Sequence, residues 1–214
     1  MGRLVWLKTV WYNTEHTIFR KIGVQLLDNT ISQQKSFLRS RMRAAARQLP
    51  REYFLAAGQA ICRGATLLPA WQKASSVFCF VSTPWEPDTS LLLQLALQEG
   101  RKLALPRITG PGQMEAVIVE DLASLRPGPF GIPEPMGSET LESSDIDFAL
   151  VPCLAASPDG LRLGHGGGYY DRFLPFLGGE WAIACCRFQL QTEIPVLAHD
   201  CRALAVVTES GILL

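Results

Sequence analysis

The sequence predicts an α/β fold: a three-layer α/β/α Rossmann-like domain whose central sheet is mostly parallel or mixed. The first observation behind this prediction is the continuous apolar run from Val77 to Val81, which suits a strand covered on both faces. The second is the order that follows it, because a polar loop, a helical stretch from Ser90 to Glu99 and a strand from Lys102 to Leu105 form a βαβ unit. The third is a hydrophobic content of 48%, which is enough for a buried core in a chain of 214 residues.

The remaining elements follow from apolar periodicity and from the residues that stop helices. A helix is expected from Ser32, which can cap it, to about Leu49, where Pro50 ends it. A second helix is expected over Glu52–Leu67, with three side chains turned inward: Phe54, Leu55 and Ile61. We also expect an ordered loop over Pro127–Pro135 and a helix over Tyr169–Leu177. Four more strands are expected over Glu115–Val119, Asp147–Cys153, Trp181–Cys186 and Ala203–Thr208.

Composition narrows the class of protein. Residues 32–214 are expected to form one domain, preceded by an N-terminal extension, residues 1–31, whose role the sequence does not reveal. Lys and Arg number 20, as do Asp and Glu, so there is no overall attraction to nucleic acid or to membranes. Six cysteines without a C-x-x-C pair predict reduced thiols in a cytoplasmic protein. No apolar run approaches the roughly 20 residues that a membrane-spanning helix needs.

A glycine-rich loop between Leu161 and Arg172 is the strongest candidate for a binding site. Four of its five central positions are glycine: Gly164, Gly166, Gly167 and Gly168. Such a backbone can bend sharply and lie against a ligand, and its N–H groups at the start of a helix favour an anion. With Arg162 before the loop and Asp171 after it, the pattern predicts a site for a polyphosphate and its Mg²⁺. The alternative is a tight structural turn, because the dinucleotide and P-loop motifs are both incomplete here.

A basic strip lies on the first predicted helix. Lys35, Arg39 and Arg43 recur every four residues, with no acidic side chain between Gln33 and Leu49 to pair with them. From the residue types alone the strip is interpreted as a solvated helix face, although such a face usually includes acidic partners.

Glu86 follows the strand of the βαβ unit, at the end of the sheet where α/β proteins bind their ligands. This carboxylate is therefore a candidate for substrate binding. The alternative is an exposed loop acid, with Asp88 or Thr89 capping the helix that follows.

The string Arg-Leu-Gly-x-Gly-Gly-Gly-Tyr-Tyr-Asp-Arg, which begins at Arg162, resembles the signature of the 5-formyltetrahydrofolate cyclo-ligase family, also called 5,10-methenyltetrahydrofolate synthetase. The resemblance extends from about Gln33 to Ile212. Three further segments carry it: Phe130–Pro135, Phe188-Gln189 and Ile194-Pro195 followed by His199-Asp200.

The resemblance implies an ATP- and Mg²⁺-dependent ligase. Its small-molecule substrate would be 5-formyltetrahydrofolate, with or without a polyglutamate tail, and its products 5,10-methenyltetrahydrofolate, ADP and phosphate. The sequence does not give the oligomeric state, for which we take a monomer as the expectation.

The resemblance also implies roles for individual residues. Lys35, Arg39 and Arg162 would be the catalytic cations. The nucleotide would contact these three and seven loop residues: Gly164, His165, Gly166, Gly167, Gly168, Tyr169 and Tyr170. The folate would contact Val81, Glu86 and the loop from His165 to Tyr169, and Mg²⁺ would be held by Asp171 and Asp200. The residue types alone favour a solvent-facing position for His165 over a phosphate contact, and they are equally compatible with ordinary half-buried packing of one of the two tyrosines.

The chain departs from the family pattern at Ala155-Ala156-Ser157, where Ala-Phe-Asp is frequent, so one folate contact that the resemblance implies does not carry over to this chain. Two other functions are compatible with the residues. One is an ATP-independent relative of the sugar-phosphate isomerases or acyl-carrier transferases, which would use the loop for a substrate phosphate. The other is a non-catalytic module that binds folate or nucleotide.

Overall fold

Twelve strands and five helices form the part of the chain that the computed structural model describes, residues 30–197 and 200–213. The strands are β1 (Ser76–Cys79), β2 (Lys102–Gly110), β3 (Gln113–Ile118), β4 (Arg126–Pro127), β5 (Pro133–Glu134), β6 (Thr140–Leu141), β7 (Phe148–Pro152), β8 (Ala155–Ala156), β9 (Arg162–Leu163), β10 (Glu180–Ala184), β11 (Ala205–Thr208) and β12 (Gly211–Leu213). The helices are α1 (residues 30–46), α2 (Arg51–Thr66), α3 (Pro69–Lys73), α4 (Ser90–Gln98) and α5 (Tyr169–Phe173). None of these helices is long and apolar enough to cross a membrane.

Eight strands form one sheet in the order β12-β11-β10-β7-β1-β2-β3-β6. The five from β11 to β2 run parallel, and the antiparallel strands β12, β3 and β6 complete the two edges. Strands β1 and β2 pair in parallel, and α4 lies between them in the sequence, which confirms the predicted βαβ unit. The carboxyl ends of the parallel strands meet at one edge, where the segments after β1, β7 and β10 lie.

Alternate residues of the central strands pack into different cores, as expected for a sheet that is covered on both sides. On one face, Val77 and Cys79 pack with α2 and α4. On the other face, Phe78 packs against α5 and the turn that follows it. These layers confirm the predicted α/β/α arrangement with a mixed, mostly parallel sheet.

Helix α1 is held at the carboxyl edge by a third, smaller cluster. Its side chains Leu38 and Met42 pack with Leu154 and Leu163, which lie just before and at the end of the short β8–β9 hairpin. Because β9 leads directly into the glycine loop, this packing fixes the position of α1 relative to the loop.

Several predicted details of the elements were wrong. Ser32 does not cap α1, because residues 30 and 31 are already helical. Leu55 points outward and is 39% exposed, whereas Phe54 and Ile61 are buried as predicted. Helix α5 ends at Phe173 rather than at Leu177, and a short 3₁₀ turn containing Pro175 follows it, because proline cannot donate the next helical hydrogen bond.

Parts of two predictions lie outside the described residues. These are the N-terminal extension, apart from residues 30 and 31, and His199 in the last segment of the family pattern.

Candidate active site

The basic face of α1 meets the glycine loop. Arg39 donates from Nε to the carbonyl oxygen of Gly164 at 3.0 Å. Arg43, one turn further along the helix, donates to the carbonyl oxygen of His165 at 2.8 Å. The structure thus places part of the basic strip against the loop, and not on a face that contacts solvent alone.

Lys35 lies at the same site and is almost fully buried. Its ammonium group pairs with Asp200 at 2.5 Å, and the two side chains are only 8% and 12% exposed. Asp200 also accepts a hydrogen bond from the main-chain N–H of Leu197 at 2.6 Å. A buried lysine of this kind requires a nearby negative charge, which the aspartate supplies.

Arg162 and Asp171 form a second ion pair beside the loop. The guanidinium of Arg162, whose side chain is 5% exposed, donates to Asp171 at 2.6 Å and to the carbonyl oxygen of Pro152 at 3.1 Å. Its central carbon also lies 5.2 Å from the centre of the Tyr170 ring, in cation–π geometry. These contacts place Arg162 between the loop and the end of the central strand β7.

Both aspartates act on the Arg39 guanidinium. Partial burial lowers the pKa of Arg39, as does the positive charge of Arg43, whereas Asp171 and Asp200 oppose that change. The two carboxylates therefore lie within electrostatic range of one cation, although they belong to distant parts of the chain. Two carboxylates in such an arrangement suit Mg²⁺, which usually keeps several waters and takes few protein ligands. Among the described residues there is no group of three or more His, Cys, Asp and Glu that would form a complete cage.

A cleft of about 690 Å³ opens next to the loop at the carboxyl edge of the sheet. Glu86 and His165 lie in it, with His165 Nε2 3.1 Å from Glu86 Oε1. Two exposed aromatic side chains line its mouth, Trp85 from the loop after β1 and Phe130 from the β4–β5 hairpin. This volume lies within the range of small-molecule pockets, and the walls combine aromatic surface with one buried carboxylate.

Glu86 is not an exposed loop acid, since only 6% of the residue is exposed. Its second oxygen accepts a hydrogen bond from the N–H of Thr83 at 2.8 Å, which fixes the carboxylate. Asp88 accepts from the N–H of Ser90 at 2.9 Å, while the Thr89 hydroxyl donates to the carbonyl oxygen of Phe80. Thr89 is thus the N-cap residue of α4, where its carbonyl oxygen accepts from Leu92 and Leu93, and of the two proposed caps only Asp88 contributes its side chain.

The two loop tyrosines face different surroundings. Tyr169 lines a second groove, of about 350 Å³, between the loop and β3. The Tyr170 ring packs edge-on to Phe78 at 6.4 Å in the core below the loop. Burial raises the pKa of Tyr170, and the negative charge of Glu86 raises it further. Val81 is partly buried against the main core and does not line the cleft.

The departure at Ala155-Ala156-Ser157 lies in the interior. Ala156 is fully buried in the core cluster beneath the sheet and is not part of the cleft wall. Ser157 accepts the N–H of Leu161 at 3.2 Å and its hydroxyl contacts Asp159, so it closes the turn that leads to β9. In this chain the segment therefore shapes the approach to the loop.

Sequence reasoning missed several residues of the site. Arg43 was part of the basic strip, but it was not assigned a role. Trp85 lies in a turn and Phe130 in a three-residue 3₁₀ helix, and segments this short give no periodic signal. For Phe130 the only available signal was its place before the Gly-Ile-Pro-Glu-Pro segment.

Comparisons with known proteins identify the family. The model of the 5-formyltetrahydrofolate cyclo-ligase family matches residues 31–209. A probable 5-formyltetrahydrofolate cyclo-ligase of Schizosaccharomyces pombe is 27% identical over 202 residues, which cover 86% of this chain and 98% of the relative. A second probable cyclo-ligase, of Caenorhabditis elegans, is 33% identical over 153 residues, with 68% and 74% of the two chains covered.

A solved structure gives the same result. The NMR structure of Aquifex aeolicus 5,10-methenyltetrahydrofolate synthetase has a TM-score of 0.75 and 31% identity, with 84% of this chain and 91% of that chain covered. The family match extends over most of the residues, from α1 to β11. The chain therefore belongs to the 5-formyltetrahydrofolate cyclo-ligase family.

Proposed function

We propose that this protein cyclises 5-formyltetrahydrofolate to 5,10-methenyltetrahydrofolate at the expense of ATP, with release of ADP and phosphate. The observation that supports this most directly is the contact between the cations of α1 and the glycine loop, beside the cleft that contains Glu86. A nucleotide held by the loop and a folate held in the cleft would be neighbours. We also propose the roles of Lys35, Arg39 and Arg162 as phosphate-binding cations on this basis.

In the proposed reaction, the formyl oxygen on N5 of the folate attacks the γ-phosphorus of ATP, and the bond to the β–γ bridging oxygen breaks, which releases ADP. Nitrogen N10 of the same folate then attacks the activated carbon. The phosphate leaves with the former formyl oxygen, N10 loses its proton to water, and the methenyl bridge between N5 and N10 is complete.

This chemistry asks the protein mainly for positioning and charge neutralisation. Lys35 and Arg39 bring two positive charges to one side of the loop, and Arg162 brings a third. Because Lys35 and Arg162 already pair with aspartates, they are held in place before a ligand arrives. Glu86 offers a fixed carboxylate that can accept hydrogen bonds from the N–H groups of a pterin.

Asp171 and Asp200 would hold Mg²⁺, which supplies neutralisation of the phosphate charge when it is bound. Their present partners, Arg162 and Lys35, would then share them with the metal. Trp85 and Phe130 at the mouth of the cleft provide apolar surface that can cover the folate and exclude water from the activated carbon.

The test is a turnover assay with purified protein, ATP, Mg²⁺ and 5-formyltetrahydrofolate, followed by the near-ultraviolet absorbance of the methenyl product. We expect this absorbance to grow only when ATP is present, with one ADP formed for each methenyl group. Folate binding without turnover would instead indicate a non-catalytic module. Conversion of a sugar phosphate without ATP would indicate the isomerase-like alternative. The cytoplasmic location and the monomeric state stay predictions.

A further inference from the structure

Arg172 lies in α5, four residues after Gly168. It links two parts of the chain that are about 60 residues apart. Its Nη1 atom lies 3.1 Å from the carbonyl oxygen of Gly168 and 3.3 Å from that of Gly167. The same atom lies 3.3 Å from the carbonyl oxygen of Gly112, at the tip of the β2–β3 hairpin. One guanidinium therefore bridges the hairpin tip and the end of the glycine loop.

Glycine lies close to the guanidinium on both sides of this bridge. Gly112 and Gly168 have φ angles of +68° and +72°, which side chains rarely adopt. A Cβ atom on either residue would overlap Nη1 of Arg172. The hairpin tip and the loop thus leave room for the guanidinium, and a methyl group at Gly112 would push it away.

The bridge has a consequence for the loop amides. All peptide bonds in the described residues are trans, so a carbonyl and the N–H of the next residue point in opposite directions. The guanidinium of Arg172 holds the carbonyl of Gly167 and shares that of Gly168 with its own main-chain N–H, so the N–H groups of Gly168 and Tyr169 point away from Arg172. Neither of these two N–H groups has an acceptor within the described chain.

The other end of the loop is arranged in the same way. Arg39 holds the carbonyl of Gly164 and Arg43 that of His165, so the N–H groups of His165 and Gly166 also point away from a guanidinium. Arginines thus take up carbonyls at both ends of the loop and leave the amides for an anion.

We propose that Arg172 is a positioning residue that orients the amide N–H groups of Gly168 and Tyr169 toward the bound phosphates, with the β2–β3 hairpin as its support. This inference rests on the proposed nucleotide site. It assigns the hairpin tip, which does not line the cleft, a role in nucleotide affinity.

The test compares binding of ADP–Mg²⁺ and of 5-formyltetrahydrofolate, each measured by titration calorimetry, in four variants. Arg172→Ala removes the guanidinium. Gly112→Ala displaces it by a change 60 residues away in the sequence. The double variant combines both changes. Gly100→Ala is the matched control, because Gly100 also has a positive φ, +70°, but nothing lies within 4 Å of the added methyl group.

We expect ADP affinity to fall about tenfold in Arg172→Ala and in Gly112→Ala, the size of one charge-assisted hydrogen bond. Folate affinity should fall less than ADP affinity in both, since neither Arg172 nor Gly112 lines the cleft that contains Glu86. The double variant should bind ADP no worse than either single variant, because both changes remove the same contact. Gly100→Ala should bind both ligands like the wild type.

Unchanged ADP affinity in Arg172→Ala, or an equal loss for ADP and folate, would overturn the inference. If one variant fails to fold, the other still tests the same contact, because they alter different residues. A wild-type protein that neither binds ADP nor turns over would instead refute the proposed function, and this outcome is distinct from normal wild-type binding with no effect of Arg172.

Discussion

The middle of the sheet and the glycine loop are held in place by different kinds of contact. Strands β1 and β7 are buried throughout and contribute apolar side chains to both faces, so their position depends on packing between neighbouring strands. The loop depends on single polar contacts between distant segments. Arg39 and Gly164 are 125 residues apart, and Lys35 and Asp200 are 165 residues apart. Stability and catalysis should therefore respond to different substitutions.

The largest effect is expected from a core substitution that leaves the loop intact. Phe148 is fully buried in β7, with its ring edge-on to Trp71 at 6.0 Å. Phe148→Ala should lower the free energy of unfolding by about 3–5 kcal/mol, because it removes buried apolar surface and leaves a cavity. Denaturant unfolding measures this change. Activity per folded molecule should stay near the wild-type value, and a loss of turnover in fully folded protein would contradict the separation.

The reverse case is Lys35→Ala. It removes a cation from the proposed phosphate site and leaves the Asp200 carboxylate without its buried partner. We expect kcat/KM for ATP to fall by about 10²–10³, the usual cost of one preorganised charge in an active site. Steady-state kinetics with varied ATP measures the loss, while circular dichroism checks the fold. Lys73→Ala, on the exposed end of α3, is the matched control, and equal activity of the two variants would remove Lys35 from the site.

The comparison also explains which parts of the fold could be predicted from the sequence. The βαβ unit from β1 to β2 was predictable because its apolar run, helix and second strand are contiguous. The edge strands β6 and β12 were missed, since two or three residues cannot show a period. The early end of α5 depends on Pro175, which breaks an otherwise helical apolar pattern.

The site was less predictable for a physical reason. The meeting of Lys35 with Asp200 is a tertiary contact that no local pattern encodes, and only the family resemblance suggested it. The bridge from Arg172 to Gly112 was not predicted at all, because main-chain carbonyls accept hydrogen bonds whatever the residue type. Residue types thus indicated the charges of the site, but not the contacts that orient them.

A third substitution tests the carboxylates of the loop. Asp171→Asn keeps the shape of the side chain but removes the charge that pairs with Arg162 and would attract Mg²⁺. We expect turnover to fall by about 10²-fold at a fixed Mg²⁺ concentration and to recover in part at higher Mg²⁺. Asp159→Asn is the control, because Asp159 also pairs with an arginine, Arg202, but on an exposed surface. A variant with wild-type Mg²⁺ dependence would exclude Asp171 as a ligand.

Glu86→Gln should have a smaller and more selective effect. The substitution keeps the size of the side chain but weakens the acceptor that would bind the pterin N–H groups. We expect KM for 5-formyltetrahydrofolate to rise about tenfold while KM for ATP stays within about twofold. Varying each substrate in turn separates the two constants. Glu99→Gln, near the end of α4, serves as the control, and a change confined to ATP would contradict the assignment of the cleft to folate.

The smallest effect is expected at Asp147, a carboxylate that directly precedes β7. The N–H of Ser76 lowers the pKa of Asp147, with a further contribution from the N–H of Ser75, and the two donors lie 2.9 and 2.8 Å away. A lowered folded-state pKa stabilises the protein above the unfolded carboxyl pKa, and this contribution is lost as the pH falls through the folded value. Asp147→Asn keeps one acceptor oxygen, so only the charge-dependent part is removed.

The difference between Asp147→Asn and wild type in the denaturant midpoint should therefore be modest at about pH 6 and should shrink toward about pH 3. Since Asp147 is exposed, added salt should also reduce the difference at the higher pH. If the two proteins kept a constant difference at every pH, the contact would act through shape and not through charge. Charge would then contribute to function at the glycine loop but not to stability at Asp147. The ion pairs of Lys35 and Arg162 would remain the contacts at which we attribute an effect to charge.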